Sequence, residues 1–336
     1  MTEHSKIPLP SGKSLLERSQ AGDDKGFKPA PVPADLIAKA GKRMARATIK
    51  VPVVKPAMDA EVEEASPTHA EESTAPAARA PEPDPVSFSG PIQTVDRAGL
   101  ADLGMIVPEA PVSGLLEEFR IVKRQVLQSA RQGQASNDLK TRERAQRVLV
   151  CSPHTGEGKT FCAVNLALAM AAERECEVVL VDADVAKPSV LSTLGLATGP
   201  GFLDAIVDPQ SKVEDFVIRT DIPGLFVLPA GKQTDADSEY IASDATAKVL
   251  ARLTQGASKR IILFDSPPAL AASPAADLAR HAGQALLVAR ADRTGQSALE
   301  DAVQLLSNCQ DIKLLLNAAH FSPSGRRFGS YYGYGG

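Results

Sequence analysis

The sequence lacks any run of the roughly 18 consecutive apolar residues that a membrane-spanning helix needs, and its opening MTEHSKIPLPSGK lacks the apolar core of a secretory signal. The expectation is a chain made and kept in the cytoplasm. Cysteine is sparse: Cys151, Cys162, Cys176 and Cys309 show no CxxC spacing, and the first three sit in or beside apolar segments, so neither disulfides nor a zinc site is expected. The histidines, His4, His69, His154, His281 and His320, are scattered without metal-ligand spacing and read as surface or loop residues. An excess of positive charge is missing too. A formal net charge of -4 and a pI near 5.8 argue against nucleic acid as a partner.

Large apolar side chains are scarce in the first third, where Phe27 and Phe88 are the only aromatic residues before residue 111 and 15 of the 25 prolines precede residue 112. Such a segment cannot offset the entropy of ordering itself, so residues 1–111 are expected to form a disordered Pro/Ala/charged arm. Residues 58–96 carry nine acids against the single base Arg79, a linker composition. Ahead of them, residues 36–55 hold Lys39, Lys42, Arg43, Arg46, Lys50 and Lys55 with Ile37, Met44 and Val51 at helical spacing. That segment reads as a solvated charged stretch or as a weak basic amphipathic helix for an anionic surface.

The folded part is expected from Val112, because Ser113 is a helix cap and Leu115, Phe119, Val122 and Val126 follow on one stripe. From Arg147 onward the runs RVLVC, EVVLVD, LFVLP, RIILFD, QALLVAR and KLLLNA read as strands buried on both faces. Between them FCAVNLALAMAAE, SDATAKVLARLTQ and SALEDAVQLLSN repeat apolar residues at helical spacing. The expectation is an α/β domain over residues 112–322: a P-loop NTPase-type, mostly parallel sheet flanked by helices, followed by a flexible tail over 323–336.

RVLVCSPHTGEGKTFCAVNLALAMA places a strand, a loop with Gly156 and Gly158, and a helix opening on Lys159 and Thr160. In a P-loop, backbone N–H groups curl around phosphate oxygens, the Lys reaches the β- and γ-phosphates and the hydroxyl takes a Mg²⁺ position. Gly156, Glu157, Gly158, Lys159, Thr160 and Phe161 are therefore the candidate residues for binding ATP. The consensus is incomplete, since Pro153 occupies the place of its first Gly. A Gly-rich turn capping an ordinary helix remains the plain alternative. Asp182 and Asp184 in VVLVDADVAKP and Asp265 in RIILFDSPP each follow an apolar run at the carboxyl edge of the sheet, where ligands of doubly wound folds collect. With Thr160 they are the candidate Mg²⁺ ligands.

Together GEGKT (156–160), DADVAKP (182–188), FDSPP (264–268) and EEFRIVKR (117–124) resemble the bacterial tyrosine kinases, in particular the soluble tyrosine autokinases associated with exopolysaccharide and exosortase systems. The resemblance covers residues 114–336 and implies MgATP-dependent transfer of phosphate to protein tyrosine. It implies that Lys159 and Thr160 bind MgATP, that Asp182 activates the tyrosine hydroxyl, and that Asp184 and Asp265 complete the metal site, with Lys159, Asp182 and Asp184 as catalytic residues. Tyr331, Tyr332 and Tyr334, three of the four tyrosines, stand among glycines in the last six residues and are the expected phosphoacceptors. The family also implies a homo-oligomer, of which a ring is one form, through Glu117, Arg120 and Lys123 or Arg124. A further implied partner is a separate membrane-anchored polysaccharide chain-length regulator, which would recruit the protein to the inner face of the plasma membrane. Thr155 and Ala186 depart from residues common in the family.

Two other functions fit the P-loop. One is a localisation ATPase of the cell-division or partition type, whose signature Lys falls here on His154. The other is a catalytically idle nucleotide-binding adaptor of a polysaccharide machine.

Overall fold

The strands form because Val, Ile and Leu fill consecutive positions, and successive side chains of a strand point to opposite faces. In the computed structural model, which describes residues 84–319, eight strands make one sheet: β1 (Ile92–Gln93), β2 (Arg147–Cys151), β3 (Glu177–Asp182), β4 (Ile218–Thr220), β5 (Leu225–Leu228), β6 (Arg260–Asp265), β7 (Gln284–Arg290) and β8 (Ile312–Asn317). Their order is β1-β4-β5-β3-β6-β2-β7-β8, and every neighbouring pair is parallel except β4 with β5. Val148, Val150, Val178 and Leu180 enter one apolar cluster, while Leu149, Cys151, Val179 and Val181 enter another on the opposite face. A run without a polar position is satisfied only between two covering layers.

Helices supply those layers: α1 (Arg97–Asp102), α2 (Gly114–Gln134), α3 (Leu139–Arg144), α4 (Lys159–Ala171), α5 (Val190–Leu194), α6 (Phe202–Val207), α7 (Val213–Phe216), α8 (Asp237–Ala242), α9 (Asp244–Thr254), α10 (Pro274–Ala279) and α11 (Gln296–Leu305). Leu100 of α1, Phe119 and Val126 of α2 and most of α4 cover one face; Phe202, Leu250, Leu278 and Ala302 cover the other. The Ser113 hydroxyl accepts the Leu116 N–H at 3.2 Å and caps α2 as expected. On that helix Arg120 pairs with Glu117, and Lys123 is buried and paired with Glu173 at 2.6 Å. Two of the basic residues assigned to subunit contacts are thus held within the chain, and Arg124 is the exposed one.

Two expectations change. The folded part begins ahead of Val112. Val86 and Phe88 are buried, with the Arg260 guanidinium 4.3 Å above the Phe88 ring; β1 pairs with β4; Asp96 caps α1; and Leu100 and Ile106 reach the core. Of the segment expected to be a disordered arm, residues 84–111 therefore belong to the fold. These elements are too short to leave a periodic pattern, and their apolar residues are spread among prolines. Secondly, KLLLNA is not buried on both faces: β8 is the sheet edge, and Leu314 and Leu316 are 55% and 59% exposed. The four cysteines are all buried. Among the described residues no helix is long and apolar enough to cross a membrane. The basic 36–55 segment and Tyr331, Tyr332 and Tyr334 lie outside the described residues.

Candidate active site

The chain leaves β2 at the carboxyl edge of the sheet and enters α4 through Gly156 and Gly158, whose φ values of 80° and 92° lie where L side chains are strained. At Gly158 a Cβ would also stand 2.0 Å from Asn317 Nδ2. This path leaves the backbone N–H groups of residues 156–161 without hydrogen bonds to any described residue. They crowd the N-terminus of a 13-residue helix, where the dipole adds to their partial charges. Row and dipole together are suited to an anion.

Lys159, the first residue of α4, is 8% exposed and makes no ion pair among the described residues. Its ammonium is suited to an anion held by the loop, since a buried charge needs a partner. The Thr160 hydroxyl donates to Asp265 Oδ2 at 2.6 Å and lies 3.1 Å from the Ser189 hydroxyl. Asp265 is fully buried and its Oδ1 has no hydrogen-bond partner. Burial, with a smaller push from Asp182, raises its carboxyl to about 7 despite the Thr160 bond. Asp182 is the register partner of Asp265 on β3. Its Oδ2 accepts the Ser189 and Val190 N–H groups at 2.9 and 3.0 Å and its Oδ1 the Asp184 N–H at 3.3 Å, so it holds the start of α5. Burial outweighs these bonds and lifts Asp182 to about 6. Asp184 is half-buried, shifted upward chiefly by burial, and accepts the Lys187 N–H.

Thr160 and Asp265 are thus in contact, with Asp182 and Asp184 close enough to act electrostatically. Among the described residues no three His, Cys, Asp or Glu side chains converge as a complete metal-ligand set. Mg²⁺ keeps water ligands and leans on one or two carboxylates plus phosphate oxygens. An orphaned carboxylate oxygen beside a hydroxyl, all-oxygen donors, fits this ion. Glu157 and Phe161 turn their side chains away: Glu157 is 1% exposed and bonded to His154 N–H at 2.7 Å, and Phe161 packs on the apolar cluster beneath α2. Both offer a phosphate only their backbone.

The structure adds Ser189, Thr294 and Asn317 to the site. Asn317 ends an apolar run at the carboxyl edge as Asp182 and Asp265 do, a signal that could have found it; nothing local marks Thr294.

A family model described as a NUBPL iron-transfer P-loop NTPase (ParA) matches residues 143–219, from ahead of the phosphate loop into β4. EpsB of Ralstonia solanacearum is 29% identical over 250 residues, covering 74% of this chain and 31% of that protein. YwqD, named a tyrosine-protein kinase, of Bacillus subtilis strain 168 is 29% identical over 191 residues, 56% of this chain and 77% of its own length. The tyrosine-protein kinase wzc of Salmonella typhimurium is 33% identical over 135 residues, 40% of this chain and 18% of wzc. The chain is similar to bacterial tyrosine kinases. It spans about a third of the length of EpsB. Among solved structures, the chimerical protein CapA2B2 aligns with a TM-score of 0.52 at 24% identity over 68% of this chain and 94% of its own. The kinase domain of the Escherichia coli tyrosine kinase ETK aligns at 0.52 and 20% identity over 68% and 91%. Both likenesses concern the fold, a P-loop NTPase fold.

Proposed function

We propose that the chain is a MgATP-dependent protein-tyrosine kinase that phosphorylates its own C-terminal tyrosines, Tyr331, Tyr332 and Tyr334. The observation that carries the reading is the row of free N–H groups over residues 156–161 with Lys159 beside it, together with relatives named tyrosine-protein kinase. Lys159 and the loop amides hold the phosphates, and Thr160 and Asp265 hold Mg²⁺. When bound, that ion neutralises charge on the phosphate oxygens. Asp182, ionised at neutral pH with its carboxyl near 6, accepts the tyrosine hydroxyl proton. The phenol oxygen then bonds to the γ-phosphorus as the bridging bond to the β-phosphate breaks and ADP leaves. Positioning and charge stabilisation supply the rate. A membrane-anchored polysaccharide chain-length regulator is the proposed partner, and control of exopolysaccharide synthesis or export the proposed role. The protein would act at the inner face of the membrane and assemble with copies of itself.

The family model favours one second reading, a ParA-type ATPase. Incubation with labelled ATP and mapping of phosphotyrosine separates the two. Label on Tyr331, Tyr332 or Tyr334 that disappears in Lys159→Met is expected; ATP hydrolysis without phosphotyrosine would favour the ATPase.

A further inference from the structure

Glu157 is a buried carboxylate with no cation among its hydrogen-bond partners. Its Oε2 accepts the His154 N–H at 2.7 Å and its Oε1 the Thr294 hydroxyl at 2.5 Å. Thr294 Oγ1 in turn accepts the Arg290 N–H at 2.8 Å, which orients the hydroxyl proton toward Glu157. On the other side of the loop, Asn317 Nδ2 donates to the Glu157 carbonyl at 2.9 Å. The absence of a Cβ at Gly158 is what admits the Asn317 amide so close. A negative charge next to a phosphate site is unfavourable in itself and costly to bury. Its presence here is explained by geometry: charge-assisted bonds are the strong ones, and the carboxylate ties the loop to the turn after β7 through Thr294, while Asn317 at the end of β8 holds its carbonyl.

We infer that Thr294 and Asn317 are positioning residues that brace the phosphate loop through Glu157, holding the 156–161 amides in register for the nucleotide phosphates. The inference rests on the nucleotide-binding reading above only for its functional consequence; the brace itself is a property of the ligand-free chain. His154, at one end of the braced segment, and Glu157, inside it, are pinned at the backbone N–H, the side chain and the carbonyl. The loop amides therefore need no reorganisation when a phosphate arrives. Removing the Thr294 hydroxyl leaves Glu157 Oε1 buried without a donor, the costly half of a broken hydrogen bond.

The test compares wild type with Thr294→Val, Thr294→Ser and Asn317→Ala. It measures ATP dissociation constants by calorimetry with Mg²⁺ present, and amide hydrogen exchange of a peptide spanning 153–161 without nucleotide. Thr294→Val and Asn317→Ala should weaken ATP binding on the order of tenfold and speed exchange in the loop, and Thr294→Ser should restore both. Should Thr294→Val fail to fold, Asn317→Ala and Thr294→Ser carry the comparison. Unchanged loop exchange in the folded variants, or unchanged affinity alongside a wild type that binds ATP, would overturn the brace. A wild type that binds no nucleotide overturns the function proposed above, while faster loop exchange in the variants would still support the brace.

Discussion

Asp182 and Asp265 stand side by side on neighbouring strands yet do different work. Three backbone N–H groups point at the Asp182 oxygens, whereas Asp265 meets one hydroxyl and leaves one oxygen unpaired. In Asp182→Asn the amide NH₂ must face an N–H donor whichever way it turns. That variant should lose phosphorylation and also melt a few degrees lower, a buried donor clash costing roughly 1–3 kcal/mol. Asp265→Asn keeps the acceptor for Thr160 and removes a buried unpaired charge, so it should lose about 100-fold or more in activity with no fall in melting temperature at pH 8. Calorimetry of both variants beside phosphotyrosine assays checks the contrast. His281 allows a pH prediction. Burial, then the nearby Arg147, Arg280 and Arg144, depresses it to about 4 from 6.5, and its Nε2 is buried without a partner. Below pH 6.5 the unfolded chain takes up a proton that the folded chain refuses until about pH 4, so stability falls as pH drops through that window. His281→Gln should flatten this fall in urea titrations run from pH 7 to pH 4; an unchanged slope would place the acid sensitivity elsewhere. His281 stands in the turn between α10 and β7, a loop position as expected, and only its half-burial there was not legible in the sequence.

At the scale of elements, the chain between Asp84 and Pro111 decides where the protein can be cut. β1 extends the sheet beyond β4, and Leu100 and Ile106 fill the layer over α4, with the Ile106 N–H bonded to the buried Asn165 side chain at 2.7 Å. A chain starting at residue 84 should keep the wild-type melting temperature, since every described element is retained. A chain starting at residue 112 should melt well below it, because each large buried side chain lost costs about 2–5 kcal/mol. Differential scanning calorimetry on the two truncations measures the difference directly. The strands from Arg147 onward were legible because an apolar run of five or six residues in a parallel sheet carries its own signal. β1, of two residues, and β4, of three, carry none; β4 exists because β5 presents an edge to pair with, and β1 because β4 does. The exposure of β8 escaped for the same reason, since a strand's sequence does not say whether it has a neighbour on both sides.

For the whole molecule, the proposed autophosphorylation should act as a switch of oligomeric state through the tail. Three phosphates within six residues would add about -4.5 to -6 in charge at neutral pH, so phosphorylated tails of an oligomer should repel one another. Changing Tyr331, Tyr332 and Tyr334 together to Phe should remove most autophosphorylation and leave ATP affinity unchanged. Unphosphorylated protein should be the larger species by light scattering and phosphorylated protein the smaller. Equal masses would reject the switch and leave the kinase reading untouched. With Arg120 and Lys123 engaged inside the chain, Arg124 is the basic residue of that helix segment available to a second copy, and Arg124→Glu should shift the mass downward as well.

By itself the sequence determined the class of sheet and the place of the phosphate loop. Both are written in local chemistry: the period of apolar residues, two glycines ahead of a Lys and Thr, and acids closing apolar runs. Tertiary structure alone decided that Asp182 lies opposite Asp265, that Asp182 also caps α5, and that Glu157 is buried against Thr294 and Asn317, 137 and 160 residues away. Those relations depend on strand order and register, which arise only when distant segments pair and share one core, and no window of neighbouring residues contains them.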